Sequence, residues 1–284
     1  MILCGIFYSE DIKMKQTKMV RALVESAMMI AFATVLSLLK IIELPYGGSV
    51  TMASMLPVII LAFRYGIGWG LGSGVAYAAL QQLLGLNTLS YVTGWQSVIA
   101  IILLDYIAAF TVVGLGGVFR RMFKTQRGAL VTGALFTSVL RYACHVISGA
   151  TVWAGLSIPD EAALIYSLSY NLTYMLPEAI ILTTVAYYLG GVIDFTKETP
   201  IRVASPKAQD GTAPLGILSG LSFLLGIIVD VTLIAPHLQN EESGEFSFAG
   251  LGNVSWVAVA IVSAITFLTG ISLLIYIKMK KKKA

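Results

Sequence analysis

The stretch LRYACHVISGATVWAG, residues 140–155, decides how this chain is read. Most of it could lie in hydrocarbon, yet Arg141, His145 and Trp153 fall within it. Arg141 and His145 are four residues apart, so on a helix they share one face. An ionisable side chain inside a membrane span is costly and needs a partner, a water-filled cavity or a ligand. The stretch therefore reads as a membrane helix turned toward something polar.

The rest of the 284 residues supports a membrane setting: 57% are apolar, 12% are charged, and mean hydropathy is +0.84. A soluble domain is nearer half apolar and a quarter charged. Apolar runs of about 20 residues, enough to cross a bilayer, recur along the chain. Ten-residue alternating strands are absent, which points to an all-α integral membrane protein rather than a barrel. The spacing predicts eight helical spans: 21–41, 53–64, 67–85, 97–118, 129–154, 163–193, 214–236 and 254–277. The second is short and begins near Pro57, so it is expected to be tilted or partly re-entrant.

Charge is distributed asymmetrically between the loops. Lys13, Lys15, Lys18, Arg21, Arg64, Arg120, Arg121, Lys124, Arg127, Lys197, Arg202, Lys207, Lys278 and the closing lysines all fall on one side of an even-numbered topology. The opposite loops carry Glu43, Asp160, Glu161, Glu241, Glu242 and Glu245. By the positive-inside rule both termini are expected in the cytoplasm. The basic balance thus reflects topology and gives no support to nucleic-acid binding. The organisation expected is a disordered cytoplasmic leader (1–20, with Met14 or Met19 as alternative starts), a six-helix unit (21–193), a proline-containing cytoplasmic linker (194–213), a two-helix appendage (214–277) and a basic cytoplasmic tail (278–284).

No P-loop, H-E-x-x-H, G-x-S-x-G or paired-cysteine motif occurs, so neither catalytic residues nor a metal or cofactor site are expected. What remains is a set of polar residues at membrane depth. Asp105 lies in IAIILLDYIAAF (99–110), beside Tyr106, and IYSLSYNLTYMLPEAI (165–180) adds Tyr166, Tyr170, Asn171, Tyr174 and Glu178. Together with Arg141, His145 and Trp153 they suggest an aromatic cavity open to the outside. A carboxylate beside aromatic rings suits a flat cation. Counting Asp105 and Glu178 against Arg141 leaves one negative charge, which a monocation would neutralise. Each residue has a plainer reading: Asp105 and Arg141 as an interhelical ion pair, Trp153 as an interfacial aromatic, His145 as a packing residue.

Four segments, PYGGSVTMASMLPVIILAFRYG (45–66), LLDYIAAF (103–110), LRYACHVISG (140–149) and IYSLSYNLTYMLPE (165–178), resemble the thiamine-specific S components of energy-coupling factor (ECF) transporters. The resemblance covers about residues 20–193. It implies a six-helix bundle with a thiamine site near the outer face, under a lid formed by the first extracellular loop, here Tyr46, Gly47 and Gly48. It further implies that Asp105 meets the thiazolium, with Tyr106, Arg141, His145, Trp153, Tyr166 and Asn171 around the ligand. Tyr77 stands where some members carry tryptophan, and some members have Glu where Asp105 stands. The implied partners are an ECF transmembrane coupling protein, docked through the small residues Ala27 and Ala31, and two ATPase subunits, in the bacterial cell membrane. The appendage departs from the family pattern. It is expected to pack on the bundle through Gly216 and Gly220, or to alter docking or capture through its acidic 237–253 loop. Alternatives are an S component for another flat cation or precursor, a stand-alone proton-coupled transporter, and a non-transporting scaffold or sensor.

Titrating the purified protein with thiamine, followed by tryptophan fluorescence or heat, is expected to give tight saturable binding. Asp105→Asn, His145→Ala and Asn171→Ala should each weaken it strongly. Unchanged affinity in all three would refute the site assignment.

Overall fold

The computed structural model describes residues 2–44, 47–92, 94–153, 163–203, 213–234, 237 and 249–283. Among the described residues eight helices of ten residues or more carry the fold: α1 (Ile2–Leu38), α2 (Leu56–Tyr65), α3 (Ile67–Leu84), α4 (Trp95–Arg121), α5 (Gln126–Thr151), α6 (Ala163–Val192), α7 (Ala213–Ile234) and α8 (Trp256–Lys283). Among the described residues, the apolar parts of α1, α4, α5, α6 and α8 are long enough to cross a membrane. This is an all-α membrane protein, with two small antiparallel pairs added: β1 (Lys40–Glu43) with β2 (Ser49–Thr51), and β3 (Ile193–Asp194) with β4 (Ile201–Arg202). The expected disordered leader is instead helical, since α1 runs on from Ile2. The segment contains no proline and mostly residues that a helix tolerates well.

The short second span has a physical explanation in α2. At ten residues it is about 15 Å long, half the thickness of the hydrocarbon. Every residue from Leu56 to Phe63 is buried, as befits a helix that is apolar all round. Pro57 opens it, where a missing N–H costs nothing, and Gly66 closes it at φ +92°. Neighbouring helices approach it backbone to backbone. A Cβ on Gly117 would strike the backbone of Ala62, and Gly70 of α3 is similarly pressed against Gly114 of α4. Close approach between small residues replaces a hydrophobic drive that lipid cannot supply.

Polar ties fix the two ends of the bundle. At one end Arg64 donates to Glu25 (3.0 Å) and to the carbonyls of Phe195 (2.8 Å), Lys197 and Glu198 (each 3.0 Å), tying α1, α2 and the β3–β4 turn together. Deeper in, Arg141 of α5 donates to Glu178 of α6 at 2.7 Å, both side chains being buried. The Arg141 guanidinium also lies 4.5 Å from the centre of the Phe110 ring. Arg141 therefore pairs with Glu178, whereas the ion pair weighed from sequence was with Asp105. The geometry follows from helix direction: α5 and α6 run antiparallel, so one turn back along α5 meets one turn forward along α6.

The α7–α8 hairpin packs through small polar residues. Ser219 donates to the Gly270 carbonyl and Ser222 to the Thr266 carbonyl, both at 2.8 Å, and Gly226 lies against Thr266. Ser263 donates to Asp230 at 2.5 Å. The side-chain surroundings of Gly216 and Gly220, and the acidic loop residues Glu241, Glu242 and Glu245, lie outside the described residues.

Glu178→Ala should cost about 3–5 kcal/mol, because it strands a buried guanidinium. Replacing both partners, Arg141→Met with Glu178→Leu, should recover most of that. Thermal unfolding in detergent would read both.

Candidate functional site

The α4 helix opens locally into a π-turn over Ile102–Ala108, which contains Asp105 and Tyr106. Such widened turns recur at functional sites because they redirect side chains that a regular helix would space apart. Here they bring two consecutive residues, with Ile101 one turn earlier, to the same cavity.

Asp105 is the centre of that cavity's polar wall. Its Oδ1 lies 2.9 Å from His145 Nδ1, and its Oδ2 accepts from Ser148 Oγ (2.6 Å) and Trp153 Nε1 (3.1 Å). All three donors come from α5 and the turn that ends it. Beyond Thr151 the chain folds back, with the amides of Val152 (2.7 Å) and Trp153 (3.3 Å) both donating to the Ser148 carbonyl. That return swings the indole toward Asp105. With Nδ1 occupied by the carboxylate, His145 keeps Nε2 on the other edge of its ring. This atom is buried and finds no hydrogen-bond partner within the described chain.

The cavity measures about 80 Å³. Its lining is Gly47 and Gly48 from the β1–β2 turn, Thr88, the α4 residues Ile101, Asp105 and Tyr106, then His145, Gly149 and Trp153, and finally Tyr170, Asn171 and Tyr174 of α6. The Tyr106 hydroxyl is held by Thr88 Oγ1 (2.8 Å) and the Gly85 carbonyl (3.1 Å). Tyr174 donates to Asn171 Oδ1 at 2.7 Å, while the Asn171 amide donates to the Ser167 carbonyl at 2.9 Å. Asn171 is thus locked in orientation by its own helix.

Of the residues read from sequence, Asp105, Tyr106, His145, Trp153, Asn171, Gly47 and Gly48 come together at this cavity. Tyr46 lies outside the described residues. Arg141 sits one turn behind His145, spent on Glu178. Tyr77 is wholly buried in the core, edge-on to Phe110 at 5.4 Å between ring centres. Tyr166 packs against the cluster around Trp153 and is not among the residues lining the cavity. Sequence reasoning missed Ser148 and Thr88. Ser148 falls three residues after His145, a spacing that places both on one helical face, and that was the available signal. Thr88 lies in the short 3-10 helix Leu86–Tyr91 that follows α3, too short for any periodicity to report. Among the described residues no three His, Cys, Asp or Glu side chains gather as a metal site would require.

The charges at the cavity follow from these contacts. Arg141 and Glu178 cancel each other beneath it, leaving the Asp105 carboxylate as the acidic group in the wall, among aromatic faces. That arrangement is matched to a small aromatic cation.

The family model described as Thiamine transporter protein matches residues 23–195, which is more than half of the chain. The chain belongs to this family. A curated relative, the thiamine transporter ThiT of Bacillus subtilis (strain 168), is 34% identical over 179 residues, covering 59% of this chain and 89% of the relative. Membership of the thiamine transporter family makes the chain a multi-pass membrane transporter protein rather than an enzyme. The family match ends just past α6, so α7 and α8 lie beyond it.

Proposed function

We propose that the chain is the substrate-binding membrane subunit, the S component, of an ECF-type importer, and that it captures thiamine from outside the cell. The observation that carries this is the Asp105 carboxylate, held by His145, Ser148 and Trp153 at membrane depth against an aromatic cavity. Thiamine joins a flat aminopyrimidine to a positively charged thiazolium. One carboxylate balances the cation, the rings of Tyr106, Trp153 and Tyr174 contact its faces, and His145 Nε2 and Asn171 hydrogen-bond its heterocycle edge. Asp105 reaches a shorter distance than the Glu found in some family members. All of its hydrogen bonds within the chain go to donors on its own wall, so its attraction for the thiazolium acts mainly through charge.

The loop charges support an orientation with both termini in the cytoplasm of a bacterial cell and the cavity on the outer side. With no nucleotide-binding motif in the sequence, energy comes from partners: a transmembrane coupling protein and two ATPase subunits. Ala27 and Ala31 are exposed on α1 among larger apolar residues such as Val24, Met28 and Val35. They form a notch in which a partner helix can approach closely. The loaded bundle is then reoriented as a unit when the partners turn over ATP. A second reading, a stand-alone proton-coupled carrier, draws on the Asp105–His145 contact, since such pairs relay protons in pumps.

Vesicles separate the two. Thiamine uptake should require the coupling protein, the ATPases and ATP, with none driven by a proton gradient across vesicles holding this chain alone. Ala27→Phe with Ala31→Phe should abolish co-purification with the coupling protein while leaving thiamine affinity within about twofold. Ser148→Ala should weaken thiamine binding by roughly tenfold, the worth of one hydrogen bond to a charged acceptor, with Ser148→Thr closer to wild type.

A further inference from the structure

The β1–β2 hairpin covers the cavity through its turn. Leu44 N donates to the Gly48 carbonyl at 2.6 Å, and Gly47 adopts φ +102°, open to glycine at no steric cost. Gly48 is pressed on α6 so closely that a Cβ there would lie 2.9 Å from both the Tyr170 hydroxyl and the Tyr174 ring. On the other side Gly47 leans on Thr88, with its ideal Cβ 3.1 Å from the Thr88 methyl. The cover is therefore seated on both walls at its tip.

What holds its root is a different kind of contact. Thr51 ends β2, and its hydroxyl lies 2.7 Å from Glu178 Oε1 and 2.8 Å from Ser54 Oγ. A hydroxyl has one proton. The carboxylate can only accept it, so Thr51 donates to Glu178 and takes its second bond from Ser54. Both Thr51 (5% exposed) and Glu178 (2%) are shut off from water, so no solvent replaces this bond if it is lost. Tyr170, Tyr174 and Glu178 follow at intervals of four on α6, one stripe along which β2 lies. Immediately beyond Thr51 the chain turns sharply. Ala53 N donates to the Thr51 carbonyl at 2.9 Å, and Ala53 is the non-glycine residue with positive φ (+56°) among the described residues.

We propose that Thr51 is a positioning residue for ligand retention: its hydrogen bond to Glu178 fastens β2, with Gly47 and Gly48 before it, over the cavity and sets how quickly a bound ligand escapes. The proposal rests on the thiamine-binding reading for its ligand but not for its mechanics. While the bond holds, β2 stays in register on the α6 stripe, and the turn at Gly47–Gly48 can lift only by bending about a fixed root. Without it, the strand and turn lift together. Arg141 takes part indirectly, since it holds the Glu178 carboxylate that Thr51 bonds.

The test compares Thr51→Val, which keeps the shape and removes the donor, with Thr51→Ser, which keeps the donor. Thiamine dissociation is followed by dilution or chase of labelled ligand from the full-length protein. Thr51→Val should release thiamine roughly tenfold faster, the scale of a hydrogen bond to a charged acceptor, with association changed less than about threefold. Thr51→Ser should stay within about twofold of wild type. Thr51→Cys, a weak donor of similar size, should fall between and serves if the valine variant folds poorly. A dissociation rate in Thr51→Val within twofold of wild type, or equal acceleration in Thr51→Ser, overturns the proposal. Hydrogen exchange of the amides of 47–51 in ligand-free protein gives an independent readout, expected to be faster in Thr51→Val alone. Should wild type fail to bind thiamine, the ligand reading falls, and the exchange of these amides still decides for or against the latch.

Discussion

A guanidinium and a carboxylate buried together at membrane depth constrain everything around them. Neither Arg141 nor Glu178 can be left alone there, because an unpaired charge in so dry a place costs several kcal/mol. Their 2.7 Å contact therefore fixes the relative height of α5 and α6, two antiparallel helices that supply five of the twelve residues lining the cavity. Phe110 covers the guanidinium and Thr51 caps the carboxylate, so α4 and the β1–β2 hairpin are held at the same level. One ion pair thus sets the register of four elements, and the cavity lies a single turn away from it.

That turn separates two different uses of charge. At Arg141 and Glu178 opposite signs cancel and the pair is structural. At Asp105 the surrounding donors are His145, Ser148 and Trp153, which orient the carboxylate at the cavity wall. A cavity built in this way keeps an electrostatic preference while also presenting the rings of Tyr106, Trp153, Tyr170 and Tyr174. The π-turn in α4 makes it possible, because a regular helix would carry Asp105 and Tyr106 to diverging faces.

Much of this was legible from residue type and spacing. Apolar length gave eight helices, close to those among the described residues except that α1 begins at Ile2 rather than near residue 21, and costly polar residues in three of them marked the cavity. Trp153 also fitted an interfacial aromatic, whereas Asp105 and His145 were each visible as anomalies, since lipid tolerates neither without a reason. Arg141 was visible for the same reason, but its partner was not. Asp105 and Glu178 were both carboxylates of suitable depth, and only the relative stagger of α4, α5 and α6 chooses between them. Tyr77 illustrates the converse. A tyrosine on a glycine-rich helix carries no sign of which side it faces, and this one turns into the core. The β1–β2 pair was hidden because strands of three or four residues carry no readable alternation. Ser148 was hidden because serine is common in membrane helices for packing alone.

The ten-residue helix α2 has a bearing on direction of passage. Beyond the cavity, along the bundle axis, come first the Arg141–Glu178 pair and then α2, its side chains from Leu56 to Phe63 at most 4% exposed. These buried apolar side chains belong to the main hydrophobic core. Among the described residues, a polar guest seated in the cavity would meet buried apolar side chains beyond the ion pair. The described core thus places the polar cavity on one side of the ion pair and a block of hydrocarbon on the other.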